Sequence, residues 1–397
     1  MRKFAKRSVA VGLAVTCLVT AQSGVAVGER GYGRATLTRF AALPAETSVP
    51  ASEPSGSALG TAPVNGVVPP FADQPVQGFS GVLRNADGTF DVLSDNGYGT
   101  RANSADFVLR IQRIAPDFAS GAVDVVGGLN LTDPNRHVPF PLTRADRVLT
   151  GADLDVESIQ RGADGTYWIG DEFGPYLLHF DRAGRLLAPP SPLPGVRAPE
   201  NPEGSPNLGG SKGFEGLALS PDGRALDALL EGPVVGDAPG TLRLNEFDVA
   251  GNRFTGKKWL YRLDRPEHAI GDAVAVDRNR LLVIERDGNE GAAAREKKVY
   301  LVDKRDRDRD GALDKTLVAD LMDIANPRRI GGFPERFTFP FTTVEGLLIL
   351  DDRTIAVLND NNFPSSSGRT PGEPDDNEFI TLKLGDDLDA DPRVLRG

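Results

Sequence analysis

Nine acidic residues recur along the chain at strand-length intervals: Asp95, Glu157, Glu172, Glu215, Glu231, Asp272, Glu285, Glu345 and Asp360, with Asp171 beside Glu172. Carboxylates gathered without cysteine or histidine form a hard-oxygen donor set that suits Ca²⁺, and Mg²⁺ less strongly. The three histidines, His137, His179 and His268, are too few and too scattered for a zinc site. A second acidic element, Asp306-Arg307-Asp308-Arg309-Asp310-Gly311-Ala312-Leu313-Asp314, reads D-x-D-x-D-G with an acid at the ninth position. Glycine permits the sharp turn, and alternate residues aim their oxygens inward, so Asp306, Asp308, Asp310 and Asp314 are candidate calcium ligands. The twelfth position is Leu317 rather than Glu, which excludes a full EF-hand. The competing reading is a charged hairpin tip in which Arg307 and Arg309 pair with the acids.

Cations close to the acids would hold an anionic substrate. Lys212 precedes Gly213-Phe214-Glu215-Gly216, Arg101 follows Asp95-Asn96-Gly97-Tyr98-Gly99-Thr100, and Arg286 follows Glu285. Each could instead simply pair with the neighbouring acids. No Gly-x-Ser-x-Gly elbow is present, so serine catalysis has no local signature. The chemistry these parts support is ester hydrolysis. Calcium neutralises a phosphoester and acidifies water, Glu215 or Glu157 takes the proton, and Lys212 or Arg101 stabilises the phosphoryl oxygens. A carboxyl ester or lactone would use the same groups.

The acids owe their positions to a repeated hairpin. Ser80 leads through Asp87-Gly88 to Asp95, and Glu157 through Asp164-Gly165 to Glu172. Glu215 leads through Asp222-Gly223 to Glu231, Asp272 through Arg278-Asn279 to Glu285, and Glu345 through Asp352-Arg353 to Asp360. Asp-Gly supplies the positive φ that tight hairpin turns need, so Asp87, Asp164 and Asp222 are turn residues. Near-equal distances on both sides of a turn predict cross-strand neighbours, and so two carboxylates side by side in four of the hairpins. Like charges so placed repel unless something neutralises them.

A sheet unit repeated every few tens of residues predicts an all-β protein, a β-propeller with five clear four-stranded blades and six possible. In such a fold the innermost strand starts, and the second strand ends, on one face of the disc, so the acids meet at the channel mouth. The competing role for a Glu at a strand start is to bond backbone amides of the next blade. Blade five lacks a fourth strand, and the segment Arg34 to Leu43 is expected to complete it and close the ring, although it could also be a disordered tail. Residues 132–154 are an irregular insertion in which a sixth blade could hide.

The sequence divides into a signal peptide (1–23), an N-terminal strand with a Pro/Ala/Ser-rich linker (24–66) and the propeller domain (67–397). Arg2, Lys3, Lys6 and Arg7 precede the apolar run Ser8 to Thr20, and Ala21-Gln22-Ser23 offers a cleavage site, so export is expected. The run is too short to span a bilayer, and no membrane association is expected after cleavage. Cys17, the sole cysteine, lies inside the signal, so the exported chain has no disulfide, and bound calcium could supply stability instead. Removing the four basic signal residues takes the net charge from −11 to about −15, which argues against nucleic acid as a partner. The expected partner is a small anionic ester, and the expected state is a monomer.

Six motifs carry a family resemblance: Asn65-Gly66 with Pro69-Pro70-Phe71, Gln74-Pro75-Val76-Gln77-Gly78-Phe79-Ser80, Ser94-Asp95-Asn96-Gly97-Tyr98-Gly99, Asn103-Ser104-Ala105-Asp106-Phe107, Trp168-Ile169-Gly170-Asp171-Glu172-Phe173-Gly174-Pro175 and Gly213-Phe214-Glu215-Gly216-Leu217-Ala218. Over roughly residues 65 to 390 the chain resembles the phytase-like family described as having esterase-like activity of phytase. The resemblance implies a propeller related in architecture to calcium-dependent phytases, hydrolysing phosphate or carboxyl esters. It assigns no catalytic residue, so the site rests on the hairpins. A non-catalytic, calcium-stabilised binding module at the cell surface or outside the cell is the rival reading, favoured by the lack of a recognisable nucleophile.

Overall fold

The computed structural model describes Met1 and residues 32–396; the rest of the signal-like segment, with Cys17, lies outside the described residues. Strand β1 (Thr36–Leu43) comes first and is followed by five antiparallel sheets. Blade one comprises β2 (Gly81–Arg84), β3 (Phe90–Leu93), β4 (Arg110–Asp117) and β5 (Ala122–Asn130). Blade two comprises β6 (Val156–Arg161), β7 (Tyr167–Asp171), β8 (Tyr176–Phe180) and the two-residue β9 (Ser191–Pro192). Blade three comprises β10 (Phe214–Leu219), β11 (Ala225–Leu230), β12 (Thr241–Asp248) and β13 (Arg253–Arg262). Blade four comprises β14 (Ala269–Ala275), β15 (Arg280–Arg286), β16 (Lys297–Asp303) and β17 (Asp314–Asp320). After the short pair β18 (Ile324–Ala325) and β19 (Arg336–Phe337), blade five comprises β20 (Thr343–Asp351), β21 (Thr354–Asp360) and β22 (Asn377–Lys383).

β1 supplies the missing fourth strand of blade five. It pairs antiparallel with β22 from Thr36↔Lys383 to Leu43↔Asn377. It also touches β18 through Thr36↔Ala325 and β5 of blade one through Ala42↔Ala122, both parallel. The N-terminal strand therefore closes the ring, as expected, and covers an edge that would otherwise be free to pair. The innermost strands follow one another around the centre: β2 packs beside β6, β6 beside β10, β10 beside β14, β14 beside β20, and β20 beside β2. The insertion at 132–154 makes isolated bridges, Thr132↔Val148 and Val108↔Thr150, so the described residues hold five blades and the possible sixth is not formed.

Alternation along each strand sends apolar side chains to both faces, because every blade is covered on both sides by its neighbours. The buried apolar residues accordingly fall into five clusters, one per blade-to-blade seam. Leu83, Leu93, Val156 and Ile169 fill the seam between blades one and two, and Trp168, Leu177, Phe214 and Leu226 the next. Leu229 and Leu244 meet Ile270 and Val283 between blades three and four. Val274 and Ile284 meet Val344 and Leu347, and Val82 and Val92 meet Leu358 and Phe379. The disc is thus held by seams, and the space at its axis is left to other groups.

The hairpin turns form at Asp87-Gly88, Asp164-Gly165 and Asp222-Gly223, with glycine φ of 89°, 79° and 68°. The expected cross-strand pairing of the acids does not form. Val156 pairs with Asp171 and Ser158 with Gly170, so Glu157 is the extra residue of a β-bulge. Glu215 and Glu345 occupy the same kind of bulge in blades three and five. A bulge re-aims one side chain out of the ladder, so each leading glutamate leaves its sheet instead of facing the returning acid. In blade four the bulged residue is Gly271, not Asp272. A Cβ at Gly271 would sit 1.9 Å from the Val344 carbonyl oxygen, so that blade cannot carry an acid at this point.

Ring closure by β1 predicts a cost for emptying its core face. Leu37 is fully buried opposite Leu382. Leu37→Ala should lose about 2–5 kcal/mol of unfolding free energy, read by chemical denaturation. A loss below about 1 kcal/mol would show that β1 adds little to the closed ring.

Candidate functional site

The bulged glutamates and several strand-end acids meet in a bowl at one end of the inner strands. Carboxylate oxygens of Glu157, Glu172 and Glu215 lie within 4.8 Å of one another, and so do those of Asp95, Asp155 and Glu157. Glu231, Glu345 and Asp360 complete the bowl, and all of these residues are buried. The structure therefore brings together Asp95, Glu157, Glu172, Glu215, Glu231, Glu345 and Asp360 among the residues read from the sequence.

Two cations stand against these acids. Arg286 is buried at the centre, its Nη2 lying 3.1 Å from Glu345, 3.3 Å from Glu231 and 3.8 Å from Glu215. Burial alone would lower its pKa, but the Glu345, Glu231 and Glu215 charges outweigh that and raise it. Arg286 is thus a partner for the acids and not a free clamp for a phosphate, contrary to one of the expectations above. Lys212 pairs with Glu231, and its side chain is 45% exposed at the rim. Burial pulls its pKa down, yet the Glu231 and Glu172 charges win, so the ammonium stays charged.

The acids outnumber these partners, and their proton affinities show it. Burial, then the Asp360 and Asp155 charges, push Asp95 well above the ordinary carboxylate range. Burial with Asp155 and Glu215 does the same to Glu157. Burial with Glu231 raises Glu172, and burial with Glu345 raises Glu215. Burial takes Glu345 up to about 8 against the opposing Arg286 charge, and takes Asp360 up to about 6. Several oxygens also lack any hydrogen bond although they are sealed from solvent: Glu172 Oε1 and Glu215 Oε1 among the carboxylates, and Gln77 Oε1, whose amide nitrogen donates to Asp95. Buried polar atoms are seldom left without a partner. Orphaned oxygens within a knot of like charges fit a hard divalent cation, and no histidine or cysteine enters either carboxylate group.

Other expected members lie elsewhere. Asp171 is fully buried, but it accepts the backbone amides of Asp155 (2.9 Å) and Gly174 (2.8 Å), and burial raises its pKa to about 8. Asp272 accepts its neighbour Ala273 N at 2.7 Å and Leu347 N of blade five at 3.0 Å, which is the blade-stapling role. Glu285 points into the seam between blades three and four. There it meets Tyr261 OH (2.8 Å), Asp264 N (2.6 Å), Lys315 Nζ (2.6 Å) and His268 Nδ1 (3.0 Å), and both its oxygens are used. Arg101 is exposed and donates to the carbonyls of Ala152 (2.8 Å) and Glu200 (3.1 Å), tying two loops together. In the separate acidic loop, Asp306, Asp308 and Asp314 converge within 4.8 Å, while Asp310 turns away to Arg262 at 2.7 Å.

Asp155 belongs to the bowl but was absent from the sequence-derived set. Asn96 Nδ2 and Ser211 Oγ each donate to it at 2.7 Å, and Gln77 Nε2 donates to Asp95 at 3.0 Å. The available signal was Asp155-x-Glu157, two acids on one face of extended chain. It was obscured because it straddles the end of the insertion and the start of β6.

These proton affinities set a pH dependence for the metal-free protein. A carboxylate whose folded pKa is raised holds a proton that the unfolded chain has already released, so folding stability falls as pH rises between the two values. With Asp360 near 6 and Glu345 and Asp171 near 8, the melting temperature in EDTA should fall from pH 5 to pH 8. Added Ca²⁺ should raise it more at pH 8 than at pH 5. A melting temperature in EDTA that climbs with pH over this range would contradict the proposed burial of the acids.

A family model described as phytase-like, esterase-like activity of phytase, matches residues 74–363. A protein named as an uncharacterized secreted protein, from Arthroderma benhamiae, is 28% identical over 192 residues, which is 36% of this chain and 36% of that one. The match thus spans about a third of that relative's length. Among solved structures, a calcium-binding regucalcin from Agrobacterium tumefaciens is 12% identical, with a TM-score of 0.40 over 86% of this chain and 97% of its own. A gluconolactonase from Xanthomonas campestris is 12% identical, with a TM-score of 0.32 over 76% of this chain and 71% of its own. The ring of paired strands, rather than these distant likenesses, defines the fold. With nearly three-quarters of its length matched by the family model, the chain belongs to the phytase-like family.

Proposed function

We propose that the protein is an exported, calcium-dependent ester hydrolase acting on small anionic phosphoesters at the carboxylate bowl. The observation that carries this reading is the triplet Glu157, Glu172 and Glu215, with Glu172 Oε1 and Glu215 Oε1 buried without a hydrogen bond and the half-exposed Lys212 acting on Glu172 by its charge. Export is supported by the signal-like N-terminus and by the printed name of the fungal relative. No helix among the described residues is long and apolar enough to cross a membrane.

The donor set fits calcium, with Glu157, Glu172 and Glu215 as the residues that would hold it. Bound there, the cation supplies Lewis-acid polarisation of the ester and of water. The remaining work falls to side chains. Glu215, linked to Arg286 only at 3.8 Å, accepts the proton of the attacking water and passes it to the alkoxide released as the ester P–O bond breaks. Lys212, kept charged by Glu231 and Glu172, meets the charge that develops on the phosphoryl oxygens. Arg286 holds Glu231 and Glu345 in place from behind.

One observation favours the rival, a calcium-stabilised binding module. Arg286 is shared among three acids and Arg101 among two carbonyls, so of the three expected substrate cations only Lys212 remains at the rim. The two readings separate in a hydrolysis panel of phosphoesters and short acyl esters, run after EDTA treatment and again with added Ca²⁺. Calcium-restored turnover of phosphoesters is the expected result. Turnover of neither class, with calcium still raising the melting temperature, would overturn the enzyme reading in favour of the module.

Glu215→Gln keeps the shape of the side chain and removes its charge. Turnover should drop by roughly 10²-fold or more, calcium affinity should fall, and the circular dichroism spectrum should be unchanged. Turnover and calcium affinity equal to the parent's would remove Glu215 from the site.

A further inference from the structure

We infer that an aromatic pocket beside the bowl, walled by Phe140, Phe173 and Tyr176, seats a quaternary ammonium group, and that the ester taken at the bowl is therefore a phosphoester of a choline-like alcohol. The inference rests on the proposed reading of the bowl and adds the substrate class. The insertion 132–154 and the proline-rich loop after β9 have no part in the chemistry proposed so far, yet they meet over the turn between β7 and β8. A cavity of about 200 Å³ is left there. Phe173 and Tyr176 are buried and Phe140 is half-buried, and the Phe140 and Tyr176 rings lie 25° from parallel with centroids 6.4 Å apart.

The pocket is held in shape and borders the site. Asp153 fixes the insertion by accepting Thr143 N at 2.7 Å and Thr150 N at 2.9 Å. Asn201 Nδ2 ties the loop to the Gly174 carbonyl at 2.9 Å, and Arg101 joins the two segments through Ala152 O and Glu200 O. Phe173 directly follows Glu172 of the bowl. Asp171 accepts Asp155 N with one oxygen and Gly174 N with the other, so a single carboxylate links bowl and pocket wall. Glu200 packs on the segment that leads to Lys212, since a Cβ at Gly210 would meet its Oε1 at 2.7 Å.

Aromatic walls alone would suit a neutral aryl group equally well, and charge decides between the two. Asp153 and Glu200 line the cavity against Arg101 alone, and Arg101 spends its donors on carbonyls. Glu200 Oε2 is buried without a hydrogen bond. Burial, then the Asp171 and Glu203 charges, push the Tyr176 phenol up to about 12, so negative charge prevails at that ring over the opposing Arg197. A cation gains from such a field and from the ring faces, and a neutral ring gains from neither. A primary ammonium needs several hydrogen-bond acceptors, but both Asp153 oxygens are taken by Thr143 and Thr150. Methyl groups on nitrogen need none and pack on aromatic rings. A substrate that carries its own positive charge also offsets part of the repulsion that an acidic bowl imposes on a phosphate. In the reaction, water adds its oxygen to phosphorus, the P–O bond to the alcohol breaks, and the alcohol leaves with the proton passed on by Glu215. The products are inorganic phosphate and choline.

The test is isothermal titration of the full chain, in calcium-containing buffer, with choline and with dimethylbutanol, in which carbon replaces the charged nitrogen. Choline should bind about tenfold tighter than its neutral counterpart. Phe140→Leu, which keeps an apolar side chain and removes the ring, should weaken choline about tenfold and dimethylbutanol far less, with the circular dichroism spectrum unchanged. Phosphocholine should exceed glycerol phosphate about tenfold in kcat/KM, with choline a competitive inhibitor. Equal binding of the two alcohols, or choline affinity untouched by Phe140→Leu, would overturn the ammonium seat in favour of a plain apolar pocket. A chain that hydrolyses phosphoesters but binds no choline would keep the enzyme reading and overturn this one. A chain that binds choline through Phe140 but hydrolyses no phosphoester would refute the enzyme reading and support the seat.

Discussion

Repulsion among buried carboxylates is the constraint on which the rest of this structure depends. A propeller seam is apolar and can be filled by almost any well-packed hydrophobic set. The bowl is different. It places Glu157, Glu172, Glu215, Glu231, Glu345, Asp95, Asp155 and Asp360 out of solvent around one arginine and one rim lysine. Burying a charge is costly unless it is paired and hydrogen-bonded. Without cations the acids answer by keeping protons, as their raised pKa values indicate. With cations they can ionise and bind. The same groups thus link folding stability to pH and, on the proposed reading, to a metal.

The backbone is shaped to create that crowding. Three bulges lift Glu157, Glu215 and Glu345 out of their ladders and toward the axis. Blade four departs from the pattern in a way that serves the centre. Its bulge carries Gly271, pressed against the Val344 carbonyl, and its second strand ends in Arg286. One blade thus contributes the positive charge where others contribute negative charge. Asp272, one residue along, is free to staple Leu347 of the next blade instead.

Much of this was legible from residue order. The Asp-Gly turns, the equal arms, the five-fold repeat and the use of the N-terminal strand to close the ring all follow from local rules of hairpin geometry and edge protection. Which acids reach the axis was only partly legible, because a bulge moves a residue by one position without altering the spacing that reveals the hairpin. Glu285 and Asp272 sit at spacings like those of Glu231 and Glu345, yet they face a seam and a backbone amide. Asp155 was hidden for the opposite reason: it precedes the strand, and the fold of the 132–154 insertion, not hairpin symmetry, delivers it. Arg101 was misplaced because proximity in sequence to Asp95 says nothing about which of several loops its long side chain will bridge.

The asymmetry of the bowl also bears on why an enzyme reading and a binding reading are hard to separate by fold. A purely structural cation needs saturation by protein oxygens, whereas a catalytic one needs a position left for substrate. The two carboxylate groups differ in their surroundings. Around Asp95 and Asp155, the neighbouring amides and hydroxyl donate hydrogen bonds to the carboxylates. At Glu172 and Glu215 one oxygen each lacks a hydrogen bond, and Lys212, half in solvent, acts on Glu172 by its charge. A charged ammonium at the rim of an otherwise anionic bowl repels a second cation and attracts an anion. That arrangement has little value for holding a disc together. It suits the proposed reading, in which a negatively charged ester enters a negatively charged mouth.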